Sequence, residues 1–292
     1  MNCIGNAYKQ QTKKIWFAQM LRGLAALSVV FAHIFVAPFP YMGTLLHDST
    51  VSLITSQNIF ASFYYSVANN GLNFGAVGVG IFFIISGFVI SFSVAKRTRF
   101  AFLANRLLRI YPVVVAVLLF DFCILSLYLN VKGINSNLSI ADFVFNATLF
   151  MRPILGGLHV DGVLWTLEIE IFFYIVMLLI GKKLISLKCH ITYILCMLVV
   201  FVLLEQSNLD YPFLIFLKNS VPHLLLMHFG VLSYNVYTER WTRFQCVLAT
   251  IFTLGGAAYC YYAVYGEHYE LTLSYLVWPV LIWSFIFKFQ DY

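Results

Sequence analysis

The stretch LRGLAALSVVFAH, Leu21 to His33, is apolar like a membrane span, yet it carries an arginine near one end and a histidine eleven residues later. Each residue of an α-helix turns by about 100°, so this spacing brings His33 within about 20° of Arg22 on one face. The two positions are about 16 Å apart along the axis, which is half the thickness of a bilayer core. One polar group is therefore expected near a membrane surface, and the other deep within the membrane on the same stripe.

The composition indicates an integral membrane protein. The chain has 292 residues, of which 61% are hydrophobic and 10% charged, and its mean hydropathy is +0.86. A soluble domain carries about 25% charged residues, so this chain has too few to cover a surface in water. The net charge of +6 comes from short basic clusters between apolar runs, which favours cytoplasmic loops over nucleic-acid binding. The six cysteines form no CxxC motif, and His223 and His228 do not share a helix face, so no metal site is expected.

Apolar runs of about 17–25 residues predict an all-α polytopic bundle of about eight transmembrane helices. The predicted spans are about 16–37, 74–94, 108–130, 163–181, 190–205, 213–235, 244–264 and 271–288. The apolar piece 139–150 is too short to span and belongs to one long connection, 131–162. Basic residues concentrate in alternate connections, which predicts a cytoplasmic N-terminus. The predicted outer connections hold only two basic residues, Lys132 and Arg152.

Two acidic residues in the segment GVLWTLEIEIFFY, Gly162 to Tyr174, are candidates for a membrane-embedded site. Glu168 and Glu170 are two residues apart and point to opposite sides of a helix, so only one can face a given cavity. Glu168 lies closer to the outer interface, where it can reach water more easily than Glu170 can. Glu170 shares a face with Tyr174 and lies at about the depth of His33, so a contact with that ring is allowed. This contact would support general-base chemistry at His33, or it would only hold two helices together.

Two further segments carry candidate site residues. In KRTRFAFLANRLLRIYP, the residues Arg99, Arg106 and Arg109 follow one helical stripe, and Pro112 is expected to kink or restart the helix. Their guanidinium groups could bind phosphates, or they could only anchor the helix at the cytoplasmic interface. In GAVGVGIFFIISGF, small residues predict close helix packing, and Ser86 either bonds back to its helix or lines a substrate path.

These segments, in this order, resemble the membrane-bound acyltransferase family three. The resemblance is carried by the Arg22–His33 pair, GIFFIISGF, NRLLRIYP and WTLEIEIFFY, and it covers about 16–235. Members of this family O-acylate surface and exported carbohydrates, and QMLRGLAAL is most similar to the branch related to exopolysaccharide acetylation. The resemblance implies a multi-pass inner-membrane protein of a bacterium, with a single membrane-embedded acyltransferase domain over 1–292.

The resemblance also implies roles for individual residues. It makes Arg22 and His33 a paired essential set and gives Glu170 the position of the glutamate in the tryptophan helix. Arg22, Arg106 and Arg109 would hold the phosphates of cytoplasmic acyl-coenzyme A, with acetyl-CoA as the default donor and no permanently bound cofactor. His33 would take the proton of a hydroxyl on a carbohydrate or lipid-linked glycan, with Glu170 orienting the ring. The residues expected along the substrate path are Ser86, Trp165 and Tyr174.

The sequence departs from the family pattern at three places. Gly80 stands where the family often has an acid, Asn105 stands where it often has an arginine, and the late glycine–serine–tyrosine helix is not found before Tyr292. We therefore expect the C-terminal family helices to be missing. Two other functions stay open at this point. One is a proton-coupled transporter or flippase in which His33 and Glu170 relay protons, and the other is an inactive, truncated paralogue.

Overall fold

The computed structural model describes residues 2–35, 59–133, 139–156, 162–207 and 210–288, and every regular element in these ranges is helical. The helices are α1 (Asn2–Phe35), α2 (Ile59–Asn69), α3 (Phe74–Lys96), α4 (Arg99–Lys132), α5 (Ile140–Thr148), α6 (Met151–Leu155), α7 (Leu164–Ile180), α8 (Leu187–Gln206), α9 (Pro212–Tyr237), α10 (Arg243–Tyr265), α11 (Tyr269–Thr272) and α12 (Trp278–Lys288). A 3-10 turn (Lys183–Ile185) precedes α8, and a π-helical turn (Leu273–Val277) joins α11 to α12.

The prediction of a polytopic helical membrane protein is confirmed. Within the described ranges, six helical stretches are long and apolar enough to cross a membrane. They are α3, most of α4, α8, α9, α10 and the continuous stretch Tyr269–Lys288. The other two predicted spans fall on α1 and on α7, which has 17 residues. The last two residues of the predicted span 16–37 lie outside the described residues.

The connection between α4 and α7 contains two short helices, α5 and α6, neither of which is long enough to span a membrane. This agrees with the expectation for 139–150. Of the two alternatives at Pro112, a kink or a restart, the restart is wrong, because α4 continues through this residue from Arg99 to Lys132. Membrane helices tolerate an internal proline when neighbouring groups satisfy the freed carbonyl.

Helix α3 lies at the centre of the bundle and packs mainly against α9 and α1. A methyl group added at Gly87 would overlap the carbonyl oxygen of Met227, and one added at Gly230 would overlap the carbonyl oxygen of Ile84. At Gly78 it would lie 2.7 Å from a backbone oxygen of α1. The backbones of these helices are therefore in direct contact, as the small residues of this segment predict.

The first turn of α3 also joins three elements at one end of the bundle. The side-chain oxygen of Asn73 accepts hydrogen bonds from the Ala76 backbone N–H at 3.0 Å and from the Tyr64 hydroxyl at 2.8 Å. The backbone N–H of Asn73 donates to the Ser274 hydroxyl at 2.9 Å. Helices α2 and α3 and the π-helical turn are thereby held around the cavity that contains His33.

Candidate active site

A first cavity of about 360 Å³ lies between α1, α3, α4 and α7. Arg22 of α1 and Arg109 of α4 line it, together with Ser86, Glu170 and Tyr174. We call it the arginine cavity. The remaining lining is largely aliphatic and aromatic, so the cavity combines two guanidinium groups with an apolar wall. Such a surface suits a ligand that has both anionic groups and a hydrocarbon portion.

Glu170 is held in the arginine cavity by two hydroxyl groups. Its Oε1 atom accepts hydrogen bonds from the Ser86 hydroxyl at 3.0 Å and from the Tyr174 hydroxyl at 2.8 Å. Tyr174 is one turn further along α7, as the sequence predicts, whereas Ser86 lies across the cavity on α3. The carboxylate is also close enough to the Arg22 guanidinium to interact with its charge. Glu170 therefore links α3 and α7 beside the cationic groups.

The three arginines of α4 occupy different surroundings. Arg106 is buried, donates from Nη2 to the Ser93 hydroxyl at 2.6 Å and lies 5.9 Å from the centroid of the Tyr174 ring. Arg99 and Arg109 are both exposed, but only Arg109 lines the arginine cavity. The expectation that they share one stripe is wrong, because an offset of ten residues turns Arg109 about 80° away from Arg99. Arg106 lies behind the cavity wall and not on it.

A second cavity of about 370 Å³ contains His33 and is called the histidine cavity. It lies between α1, α2, α3 and α7, and the π-helical turn closes one side. Tyr64, Asn73, Trp165 and Tyr275 are among its lining residues. Its wall is richer in hydrogen-bonding groups than that of the arginine cavity, which suits a polar ligand.

The imidazole of His33 is oriented by its own helix. Its Nδ1 atom lies 2.8 Å from the carbonyl oxygen of Val29. A carbonyl oxygen can only accept, so Nδ1 carries the hydrogen of this bond. In the neutral ring, Nε2 is then the basic nitrogen, and the tautomer is the one that a proton acceptor at Nε2 requires.

The arginine and histidine cavities adjoin each other. Four residues line both of them: Val29, Val79, Val163 and Thr166. Val29 lies on α1 between the two polar positions, seven residues after Arg22 and four before His33. The Arg22 guanidinium and the His33 imidazole therefore face successive compartments along one side of the same helix.

The structure corrects two expectations about the acidic residues of α7. Glu170 lines the arginine cavity and is bonded to Ser86 and Tyr174, so it does not orient His33, whose ring is held by the α1 backbone. Glu168 does not reach water, because it is 1% exposed and both of its oxygens accept hydrogen bonds from Arg152. A neighbouring hydroxyl or cation satisfies each carboxylate locally, at less cost than leaving a bare charge in the bundle.

The ion pair between Arg152 and Glu168 was missed by the sequence analysis. Arg152 belongs to α6, in the connection before α7, and its Nε lies 2.5 Å from Glu168 Oε1. One signal pointed to it, since Arg152 is one of only two basic residues in the predicted outer connections. An isolated cation next to a membrane span that carries an acid is a candidate for pairing with that acid.

The two single-residue departures from the family pattern have different surroundings. A side chain at Gly80 would overlap the Tyr275 carbonyl oxygen and the Pro279 ring, so this packing leaves no room for an acid. Asn105 is exposed and donates to the Ala101 carbonyl of its own helix at 2.6 Å. The expected substrate-path residues are divided between the compartments. Ser86 and Tyr174 line the arginine cavity, and Trp165 lines the histidine cavity.

Comparison with known proteins shows the family of the chain. A family model described as an acyltransferase domain matches residues 15–289. Nodulation protein 10 of Rhizobium leguminosarum bv. viciae is 32% identical over 123 residues, which are 36% of this chain and 32% of that relative. The matched segment thus spans about a third of the relative's length. No solved structure matches. Because the family model covers nearly all of the sequence, the chain belongs to the acyltransferase-3 family, as its four motifs predict.

Proposed function

We propose that this chain, in the inner membrane of a bacterium, transfers an acyl group from acyl-coenzyme A to a hydroxyl of a surface or exported carbohydrate. Acetyl is the default acyl group. The observation that carries the proposal is the direct contact between the arginine cavity and the histidine cavity along α1. Family membership supports acyl transfer as the type of reaction.

The arginine cavity is the proposed site for the donor. Arg22 and Arg109 present planar guanidinium groups, which form paired hydrogen bonds with phosphate oxygens. Residues 22 and 33 are about 16 Å apart along α1. The long, flexible pantetheine arm of coenzyme A can cover this distance by passing Val29 and Thr166, which line both cavities where they adjoin. The thioester would then reach the histidine cavity while the phosphates stay at the predicted cytoplasmic end.

The histidine cavity is the proposed site of the reaction. Nε2 of His33 takes the proton of the sugar hydroxyl while the hydroxyl oxygen attacks the thioester carbonyl carbon. A carbon–oxygen bond forms and the carbon–sulfur bond breaks. The imidazolium then returns its proton to the departing thiolate, so the products are an O-acyl sugar and coenzyme A. The Val29 carbonyl stabilises the imidazolium through the Nδ1–H bond.

Glu170 has a separate part in this proposal. Glu170 lines the arginine cavity and not the histidine cavity, and it interacts with the charge of Arg22, which favours a role as a positioning residue for the cationic groups. The carboxylate limits the net positive charge of the empty site and holds Tyr174 and Ser86 in the cavity wall. Arg106 lies in the layer behind, where it supports the same wall through Ser93 and Tyr174.

The test compares surface glycans of the source cell after deletion of the gene and after its return. The wild-type gene is expected to restore glycan ester content, because the chain supplies the transfer step. His33→Ala is expected to restore none, although equal amounts of protein reach the membrane. Val30→Ala serves as a control, since Val30 is an exposed neighbour on α1 and lines neither cavity. Full ester content with His33→Ala would overturn the proposal.

A further inference from the structure

A third cavity of about 610 Å³ lies next to the histidine cavity and is the largest of the three described. It lies between α6, α7, α9, α10 and the π-helical turn. We call it the aromatic cavity, because Trp165, Phe216, Tyr265 and Tyr275 line it. Trp165 and Tyr275 also line the histidine cavity, so these two rings form a shared wall. The proposed reaction does not use the aromatic cavity.

The rings of the aromatic cavity are fixed in a regular arrangement. Tyr265 and Tyr275 are nearly parallel, with centroids 5.6 Å apart and an angle of 11° between their planes. Tyr261 is nearly parallel to both, with its centroid 6.0 Å from that of Tyr265 and 6.1 Å from that of Tyr275. Trp165 crosses Tyr275 at 6.3 Å and 81°. Ring positions held by such stacking offer flat, rigid apolar faces, which suit the C–H face of a sugar ring.

Polar groups complement these faces. His223 lines the cavity, and its Nδ1 is 2.8 Å from the Tyr261 hydroxyl, which leaves Nε2 as the remaining hydrogen-bonding atom of the ring. Asn219 lies one turn before His223 on α9, lines the same cavity and is exposed. An amide side chain donates and accepts, as sugar hydroxyls do.

The charge of the aromatic cavity favours a neutral ligand. Arg152 lines it, but the guanidinium is paired with Glu168 through two hydrogen bonds. No other charged side chain is among the described lining residues. A cavity with a neutralised cation, an amide, an imidazole and flat rings suits hydroxyl groups better than phosphate or carboxylate.

We propose that the aromatic cavity binds a second sugar ring of the acceptor, beside the ring whose hydroxyl reaches His33. The acceptor is then an oligosaccharide or polysaccharide and not a single sugar. This inference rests on the proposed function. Both compartments have volumes within the range of about 300–1,000 Å³ that is usual for small-ligand sites. Trp165 and Tyr275 line both compartments, so each side chain would contact both sugar rings.

The experiment measures binding of glycan fragments to the full chain in detergent. The probe is the surface polysaccharide of the source cell, freed of esters with mild base, partly hydrolysed and separated by length. We expect fragments of two or more sugars to bind about tenfold more tightly than single sugars, since the contacts of a second ring together contribute about 1.4 kcal/mol. Tyr265→Leu and Asn219→Leu are each expected to remove most of this gain without changing the affinity for single sugars.

Matched controls come from positions outside the aromatic cavity. Tyr262→Leu changes a tyrosine of the same helix that is 68% exposed, and Asn105→Leu changes an exposed asparagine of α4. Both control variants are expected to keep the gain in affinity with the length of the glycan fragment. Equal affinity for all lengths in the wild type, no binding of any fragment, or a full gain in both cavity variants would overturn the proposal.

The binding assay contains no acyl donor, so its outcome is independent of catalysis. Fragments that bind with the expected length dependence but receive no acyl group would contradict the proposed function alone. Transfer that is equally efficient to single sugars and longer fragments, and insensitive to Tyr265→Leu, would contradict the second sugar site alone.

Discussion

The Nδ1 atom of His33 lies 2.8 Å from the carbonyl oxygen of Val29, one turn earlier on α1. Val29 also lines both the arginine cavity and the histidine cavity. The same helical turn therefore fixes the imidazole and forms the passage between the cationic groups and the reaction site. A base oriented by its own backbone needs no carboxylate partner, which separates the role of His33 from that of Glu170.

This separation predicts the effect of Glu170→Gln. Because Glu170 is bonded to Ser86 and Tyr174 and not to His33, the pH profile of the transfer rate is expected to keep its midpoint in this variant. The affinity for coenzyme A is expected to change, because one negative charge beside Arg22 is removed. Initial rates between pH 5 and 9, with titration of the donor, provide the measurement. Glu205→Gln is the control, since Glu205 pairs with Lys218 and lines none of the three cavities.

A displaced midpoint with unchanged donor affinity would contradict this assignment. It would mean that Glu170 acts on the imidazole in the working enzyme, as the sequence analysis expected.

The lining of the arginine cavity predicts that Arg22, Arg109 and Arg99 contribute differently to the affinity for coenzyme A. Arg22→Ala and Arg109→Ala are each expected to weaken binding of coenzyme A by about tenfold at low salt, since each removes a charge-assisted contact to phosphate. Arg99→Ala is expected to have little effect, because Arg99 does not line the cavity. Binding to the purified protein is measured between low and high salt. Equal losses in all three variants would indicate a diffuse surface charge effect and exclude a defined phosphate site.

The transmembrane architecture was predictable because it depends on properties that a local window contains. A long apolar run must form a helix in lipid, since every backbone group has to be satisfied within the segment. The same local reasoning placed Arg22 and His33 on one side of α1 and Tyr174 one turn from Glu170, and the structure agrees on both. The bond from His33 to Val29 is local as well, and its four-residue offset could have been anticipated.

The contents of the site depend on contacts between helices, which no local window contains. The similar depths of Glu170 and His33 in the membrane allowed a contact between them. In the structure, however, α7 is oriented so that Glu170 accepts a hydrogen bond from Ser86 of α3. Arg152 comes from the long connection 131–162, and the fold of this connection brings the guanidinium against Glu168. The stacking of Tyr265 on Tyr275 joins α10 to the π-helical turn, and neither segment shows a pattern that predicts it.

The backbone contact between α3 and α9 predicts large effects of small substitutions. Gly87→Ala or Gly230→Ala would place a methyl group against a carbonyl of the opposite helix, so the helices have to separate. We expect the free energy of unfolding of either variant to fall by about 2 kcal/mol or more, as for overpacked cores. Gly255→Ala is the matched control in α10, because a methyl group there meets nothing within 4 Å. This control is expected to be neutral or stabilised by up to about 1 kcal/mol, since alanine favours a helix.

The variants are purified in detergent and heated, and the loss of the monodisperse peak is measured. The midpoints of thermal unfolding then rank the variants. Similar midpoints for Gly87→Ala and Gly255→Ala would contradict the close approach of α3 and α9.

Because Arg152 and Glu168 form a buried pair, we expect removal of one partner to lower the stability of the protein more than removal of both. Glu168→Leu leaves the Arg152 guanidinium, whose side chain is 12% exposed, without its anion. Arg152→Met leaves the fully buried carboxylate uncompensated. Each single variant is expected to lose about 3 kcal/mol of stability, and the double variant is expected to recover most of it. Unfolding midpoints of the four proteins give the coupling energy, and additive losses in the double variant would contradict a direct pair. Lys218→Met with Glu205→Leu, an exposed pair on α9 and α8, is expected to show a coupling below about 1 kcal/mol.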